Sequence, residues 1–161
     1  MRPIKTILVP TDFSAPAERA LAYARSLADA YGASLHLLHV IEDPFATGLH
    51  MGMVGAPPEG YFEHLDQQSH ARLGALLTPD EKKTYSAVIA TRMGYAATEI
   101  LDYVRDHGAI DLIVIATAGR GAVSRLMMGS VTDKIVRTAP CPVLTVHPHD
   151  RKGVAEAPQA A

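Results

Sequence analysis

The segment Leu112–Val146 constrains the fold more than any other part of this chain. It opens with Leu112–Ala116, a run of five apolar residues with no polar position to face solvent. Such a run suits a strand buried on both faces, as in a parallel sheet covered by helices. Small residues follow at Ala116-Thr117-Ala118-Gly119, then nine further residues, then Gly129-Ser130. From there a helix is predicted as far as Ala139, stopped by Pro140, with a last apolar strand over Val143–Val146. Small residues at a strand end let a ligand approach the backbone, and a helix N-terminus presents unpaired N–H groups that attract anions. Strand, small-residue turn and helix start together predict a phosphate cradle.

The rest of the chain alternates in the same way. Ile4–Val9 reads as a strand interrupted by Pro10, and Ser14 reads as the N-cap of a helix with Pro16 in its first turn. Ala20, Leu21, Ala24, Leu27, Ala28 and Tyr31 share one face of that helix, which Gly32 ends. Ser34–Ile41 is a second strand. Phe62 to about Leu77 is a weaker helix, its apolar stripe approximated by Phe62, Leu65, Leu73 and Leu76. Thr84–Ala90 is predicted as the third strand. Thr98–His107 is a short helix with Ile100, Leu101 and Val104 inward, ended by Gly108. Strands separated by helices imply right-handed βαβ crossovers and hence an α/β parallel sheet with helices on both faces. Two stretches depart from the pattern. Residues 42–60 form a long connection rich in Gly, Pro and Met, of a kind that serves as a lid or binding loop or has no order. Residues 148–161 carry few apolar side chains and read as a disordered tail after a single domain over residues 1–147.

The motifs resemble those of the universal stress protein family, whose nucleotide signature is G-x-x-G, nine residues, then G-S or G-T. Here it stands as Ala116-x-x-Gly119 and Gly129-Ser130, with alanine in the place of the first glycine. The segments Ile7–Ser14, Leu37–Asp43 and Cys141–Val146 also resemble family elements in family order, so the likeness runs from Ile4 to Val146. It implies a Rossmann-like five-stranded sheet of order 3-2-1-4-5. In that order the winding reverses between the first and fourth strands, and ligands bind at the carboxyl ends of strands at such a point. The resemblance further implies a bound adenine nucleotide: ATP with or without magnesium, AMP or a cyclic nucleotide not being excluded. The cofactor-binding residues it implies are Pro10, Thr11, Asp12, Val40, Ile115, Ala116, Gly119, Arg120, Gly129, Ser130 and Val131, with Asp12 contacting the nucleoside and the Val40 backbone near the base. It also implies a homodimer formed through the last strand, residues 142–146, which as an edge strand presents unpaired backbone groups.

Each of these residues has an ordinary reading beside the functional one. Asp12 after a strand also suits a turn or a helix cap, and Gly119 and Gly129 also suit plain turns. Arg120 and Arg125 in a loop are as a rule solvated, although each has the chemistry to pair with a phosphate. The extra methyl of Ala116 removes clearance and leaves open a vestigial pocket. Composition narrows the field of functions. The chain has 161 residues, 48% of them hydrophobic, enough for one core, and a formal net charge of −2. With a pI near 6.4, that charge argues against a nucleic-acid surface. No basic run or membrane-length apolar stretch is present, the N-terminus lacks the pattern of a signal peptide, and one cysteine makes no internal disulfide. The chain therefore reads as cytoplasmic, without a membrane or nucleic-acid partner. Its eight histidines do not form a metal motif. His36 and His39, three apart on a strand, point to opposite faces, and His147 and His149 flank Pro148. No GxxxxGK[ST] loop, G-x-S-x-G elbow or complete GxGxxG motif occurs. Ligand-controlled signalling in stress adaptation is the leading expectation, with a slow ATPase and an interaction protein lacking a working pocket as the alternatives.

Overall fold

A computed structural model of the chain describes residues 3–43, 57–117 and 128–147. Five strands form one all-parallel sheet: β1 (Thr6–Pro10), β2 (Ser34–Ile41), β3 (Val88–Met93), β4 (Leu112–Ala116) and β5 (Val143–Val146). Their spatial order is β3-β2-β1-β4-β5, as expected. The helices are α1 (Ala15–Tyr31), α2 (Tyr61–Gly74), α3 (Pro79–Thr84), α4 (Ala96–His107) and α5 (Ser130–Thr138).

Strand alternation divides the core into two layers. Ile7, Val9, Leu35, Leu37, Leu112, Val114 and Ala116 face the layer that holds Ala20, Leu21, Ala24 and Leu73 from α1 and α2. Leu8, Leu38, Ile113 and Ile115 face the layer that holds Ile100, Tyr103, Val104 and Ile135 from α4 and α5. All five residues of β4 are buried, which explains why that run has no polar position. Burying one Leu or Ile side chain fully contributes roughly 1.5–3 kcal/mol, so these paired layers supply the main stabilising term.

The predicted caps of α1 are in place. Ser14 Oγ accepts the Ala17 N–H, and Gly32 closes the helix at φ 63°, a left-handed conformation that glycine adopts without a Cβ clash. Pro10 is the last residue of β1 rather than an interruption after it. The Thr11 N–H donates to the Leu38 carbonyl at 2.9 Å, so by alternation the donor that Pro10 lacks would face β4. The pairing of β1 with β4 covers only Ile7 and Leu8, so no ladder bond is lost there.

The third strand differs from expectation. Thr84 ends the short helix α3, and β3 begins only at Val88. Thr78-Pro79-Asp80-Glu81 forms a capping box: Thr78 Oγ1 accepts the Glu81 N–H at 3.2 Å, and Glu81 accepts the Thr78 N–H at 2.7 Å. With proline at the first helical position, that local helix signal takes Thr84 out of the strand. Helix α4 starts at Ala96, two residues before the predicted Thr98, because Tyr95 takes the N-cap position without a side-chain cap bond. Helix α2 buries only Leu73, so its apolar stripe is weaker than the predicted one. The long connection over residues 42–60, read from sequence as a lid, a binding loop or a segment without order, falls mostly outside the described residues, and the tail 148–161 falls wholly outside them.

Candidate functional site

The loop after β1 is built from its own side chains. Thr11 Oγ1 accepts the Phe13 N–H at 3.0 Å, and Asp12 Oδ1 accepts the Ser14 N–H at 3.0 Å. The Thr11 carbonyl accepts a hydrogen bond from His39 Nδ1 at 2.8 Å, which fastens the loop to β2. These bonds hold Phe13 at φ 62°, a conformation that costs a non-glycine residue about 1–2 kcal/mol. Its ring lies 4.4 Å from the His39 ring, and the Arg72 guanidinium of α2 sits 4.1 Å above it. Asp12 is therefore presented by a rigid turn. Its carboxylate does cap the following chain, as the ordinary reading of the sequence allowed, and it lines a cleft as well.

The far side of the site joins β4 to α5. Thr117 N–H donates to the Val146 carbonyl at 3.0 Å, and Gly129 N–H donates to the Thr117 carbonyl at 2.8 Å. Thr132, only 5% exposed, donates its hydroxyl to the Ala116 carbonyl at 2.8 Å. The start of α5 is thus tied directly to the end of β4. Gly129 is the N-cap of α5 and supplies no side-chain cap, which leaves the first-turn N–H groups to other acceptors. Gly129 has φ −62° and ψ 149°, angles open to any residue, and a Cβ there would meet the Thr117 oxygen at an ordinary 3.6 Å. The backbone does not require glycine at this position.

These two ends bound a cleft of about 750 Å³ over the carboxyl edge of the sheet. That volume lies within the usual range of small-molecule sites. Pro10, Thr11, Asp12, Val40, Ile115, Ala116, Gly129, Ser130 and Val131 all line it. Gly119 and Arg120, like Arg125, lie outside the described residues. The methyl of Ala116 belongs to the core layer under α1, so the alanine is accommodated by packing as well as bordering the cleft.

Sequence reasoning missed one wall altogether. Tyr61, Leu65, Gln68, Ser69 and Arg72 line the cleft from α2. Their spacing is that of a single helical face, but its mixed polarity hid it from a search for apolar stripes. Ala96 and Ile100 contribute from the first turns of α4. Thr132 was also missed, although a hydroxyl in the first turn of a predicted helix was visible.

His36 and His39 do face opposite layers, toward Tyr103 and toward Thr11 respectively. Among the described residues no group of three or more His, Cys, Asp or Glu could hold a metal ion. Asp133 is engaged by Arg137 across one helical turn, at 3.0 and 2.9 Å. Burial, and then Asp111, push the Cys141 thiol above its ordinary pKa, which disfavours the nucleophilic thiolate. No helix among the described residues is long and apolar enough to cross a membrane.

The family model described as the universal stress protein family matches residues 3–147. A universal stress protein of Methanocaldococcus jannaschii is 31% identical over 147 residues, covering 88% of this chain and 81% of its own. One from Thermus aquaticus is 36% identical over 144 residues, covering 88% and 98%. A solved structure of a second Methanocaldococcus jannaschii protein has TM-score 0.72 at 24% identity, over 90% of this chain and 96% of that one. A universal stress protein in complex with cAMP has TM-score 0.59 at 20% identity, over 91% and 98%. One from Archaeoglobus fulgidus in complex with dAMP has TM-score 0.54 at 20% identity, over 89% and 98%. At these identities the structural likenesses speak for the fold, whereas the family match and the two sequence relatives span nearly the whole of the described chain. The chain belongs to the universal stress protein family.

Proposed function

We propose that this protein binds an adenine nucleotide, ATP foremost, and acts in stress response as a nucleotide-dependent regulator. One observation carries the reading: the end of β1 and the N-terminus of α5 open into one cleft at the point where the winding of the sheet reverses. In this arrangement Asp12 takes the nucleoside hydroxyls and the Val40 backbone meets the base. The N–H groups of Ser130 and Val131 take the phosphates, with magnesium accompanying the triphosphate where it is bound. Gly129 gives the phosphates clearance. Gly119 and Arg120 belong to the same proposed site by their place in the signature. The complexes of family members with cAMP and dAMP support a ligand of this class. The role is binding rather than turnover, in the cytoplasm.

We also propose a homodimer formed through the last strand, residues 142–146. β5 is an edge strand, and Leu144 on it and Val136 on α5 are exposed. A twofold pairing of this edge with its copy would satisfy the open backbone groups and cover both side chains.

A mass spectrum of small molecules released from the purified protein tests the ligand class. An adenine nucleotide near one per chain is the expected result. A nucleotide-free protein that also stays empty after incubation with millimolar ATP would overturn the proposal.

A further inference from the structure

Behind the cleft, β2 and α4 are joined by a cluster of ionisable rings that the nucleotide site does not use. His36 stands on β2 between Leu8 of β1 and Val88 of β3. Its Nδ1 lies 2.9 Å from the hydroxyl of Tyr103, a residue of α4 only 1% exposed. The His107 ring stacks on Tyr103 at 3.9 Å and meets His36 edge-on at 5.8 Å. His107 Nδ1 donates to the Tyr103 carbonyl at 2.9 Å. From β3, the Arg92 guanidinium lies 5.6 Å from the Tyr103 ring and is paired with Asp106 of α4 at 2.8 Å. Tyr103 and His107 face His36 directly, while Arg92 and Asp106 join the cluster through the Tyr103 ring and through their own ion pair, which engages the cluster's carboxylate.

The cluster joins two elements that both reach the nucleotide cleft. β2 sends His39 and Val40 to it, and α4 sends Ala96 and Ile100. A neutral His36 ring can either accept the Tyr103 hydroxyl or donate to it, whereas an imidazolium can only donate. Protonation would also place a charge in a half-buried site beside His107, where the carboxylate of the cluster, Asp106, is already paired with Arg92.

We propose that His36 is a proton-operated latch: neutral, it holds α4 against β2, and protonated, it loosens α4 and weakens the ligand's hold in the cleft. The latch stands on the cluster alone, while its effect on ligand rests on the nucleotide reading of the cleft. Burial, and then His107, lower the His36 pKa below the ordinary histidine value, so the folded protein resists this protonation. The sign follows from linkage. A group with a lowered folded pKa lets the unfolded chain take up the proton first. Stability is therefore retained above the ordinary imidazole range near ~6.5 and falls as pH drops through it.

The test uses the full-length protein and His36→Gln at about pH 7.5 and about pH 5.5, a span that brackets imidazole titration. Without ligand, acid should lower the melting temperature of the unmodified protein by several degrees more than that of His36→Gln. Amide-exchange protection around Ile100–Val104 should fall selectively relative to α1. Should His36→Gln fail to fold, NMR titration of the unmodified protein and of His107→Gln serves in its place. The His36 ring should then titrate below the ordinary value, and further up when His107 is removed. Equal acid sensitivity of the two proteins, or an ordinary His36 titration, would overturn the latch. With ATP as probe, the dissociation constant should rise severalfold more in the unmodified protein than in His36→Gln, a comparison that cancels protonation of ATP itself. An equal rise in both overturns the coupling. Absence of ATP binding at either pH overturns the coupling together with the cleft reading, while the ligand-free measurements still decide the latch.

Discussion

Gly129→Ala separates what the fold needs at the start of α5 from what a ligand needs. The backbone angles there, φ −62° and ψ 149°, are open to alanine. The new methyl would meet only the Thr117 oxygen among the described residues, at an ordinary 3.6 Å. Replacing an N-cap glycine by alanine costs about 0.5–1 kcal/mol, because alanine caps poorly. In a chain of this size 1 kcal/mol moves the melting temperature by ~2–4 °C, so the variant should fold and melt only slightly early. Gly129, Ser130 and Val131 all line the cleft, so under the proposed placing of the phosphates the same methyl takes clearance from the ligand. Displacing a phosphate from one charge-assisted hydrogen bond costs ~1.5–3 kcal/mol, or roughly ten- to a hundredfold in dissociation constant. Thermal unfolding and ATP calorimetry on one preparation read both quantities. A folded Gly129→Ala protein with unchanged ATP affinity would refute the placing of phosphate at this helix start.

Three further outcomes follow from the same geometry. Thr132→Val keeps the shape but leaves the Ala116 carbonyl without its buried hydroxyl donor; it should lose ~1–3 kcal/mol in urea unfolding and weaken ATP, Thr132→Ser should restore both, and unchanged stability would show that this bond does not fasten α5. Asp12→Ala should weaken ATP and adenosine together; loss of inorganic triphosphate binding instead would place the residue at the wrong end of the cleft. Leu144→Lys on the exposed edge strand should shift the protein toward monomer in light scattering, and an unmodified protein that is monomeric at tens of micromolar would contradict the proposed dimer.

Much of the fold was legible in the sequence because its signals were local and unmixed. β4 has no polar residue, and α1 carries both its serine cap and its terminal glycine. Pro10–Asp12 and Gly129–Val131, far apart in the chain, line one cleft because the strand order places β1 beside β4, to whose end the start of α5 is tied. What escaped depended on competition or on mixed character. The capping box at Thr78 and Glu81 overrode the strand-like Thr84-Tyr85. The α2 face from Tyr61 to Arg72 combines aromatic, amide, hydroxyl and cationic groups, so it has no apolar period, yet it forms one wall of the cleft. The left-handed Phe13 could not be foreseen from residue type, since phenylalanine seldom adopts it; the hydrogen bonds that the Phe13 and Ser14 N–H groups donate to Thr11 and Asp12 impose it. The alanine in place of the first signature glycine suggested lost clearance, but register sends its methyl into the core layer under α1.

Calorimetric titration of the unmodified protein with ATP tests the central claim most directly, with phosphate release followed in the same samples. Saturable binding at one nucleotide per chain, with phosphate release at background, is the predicted result. No heat of binding at millimolar ATP would contradict the claim that this cleft is a nucleotide site, and phosphate release well above background would contradict a role in binding without turnover.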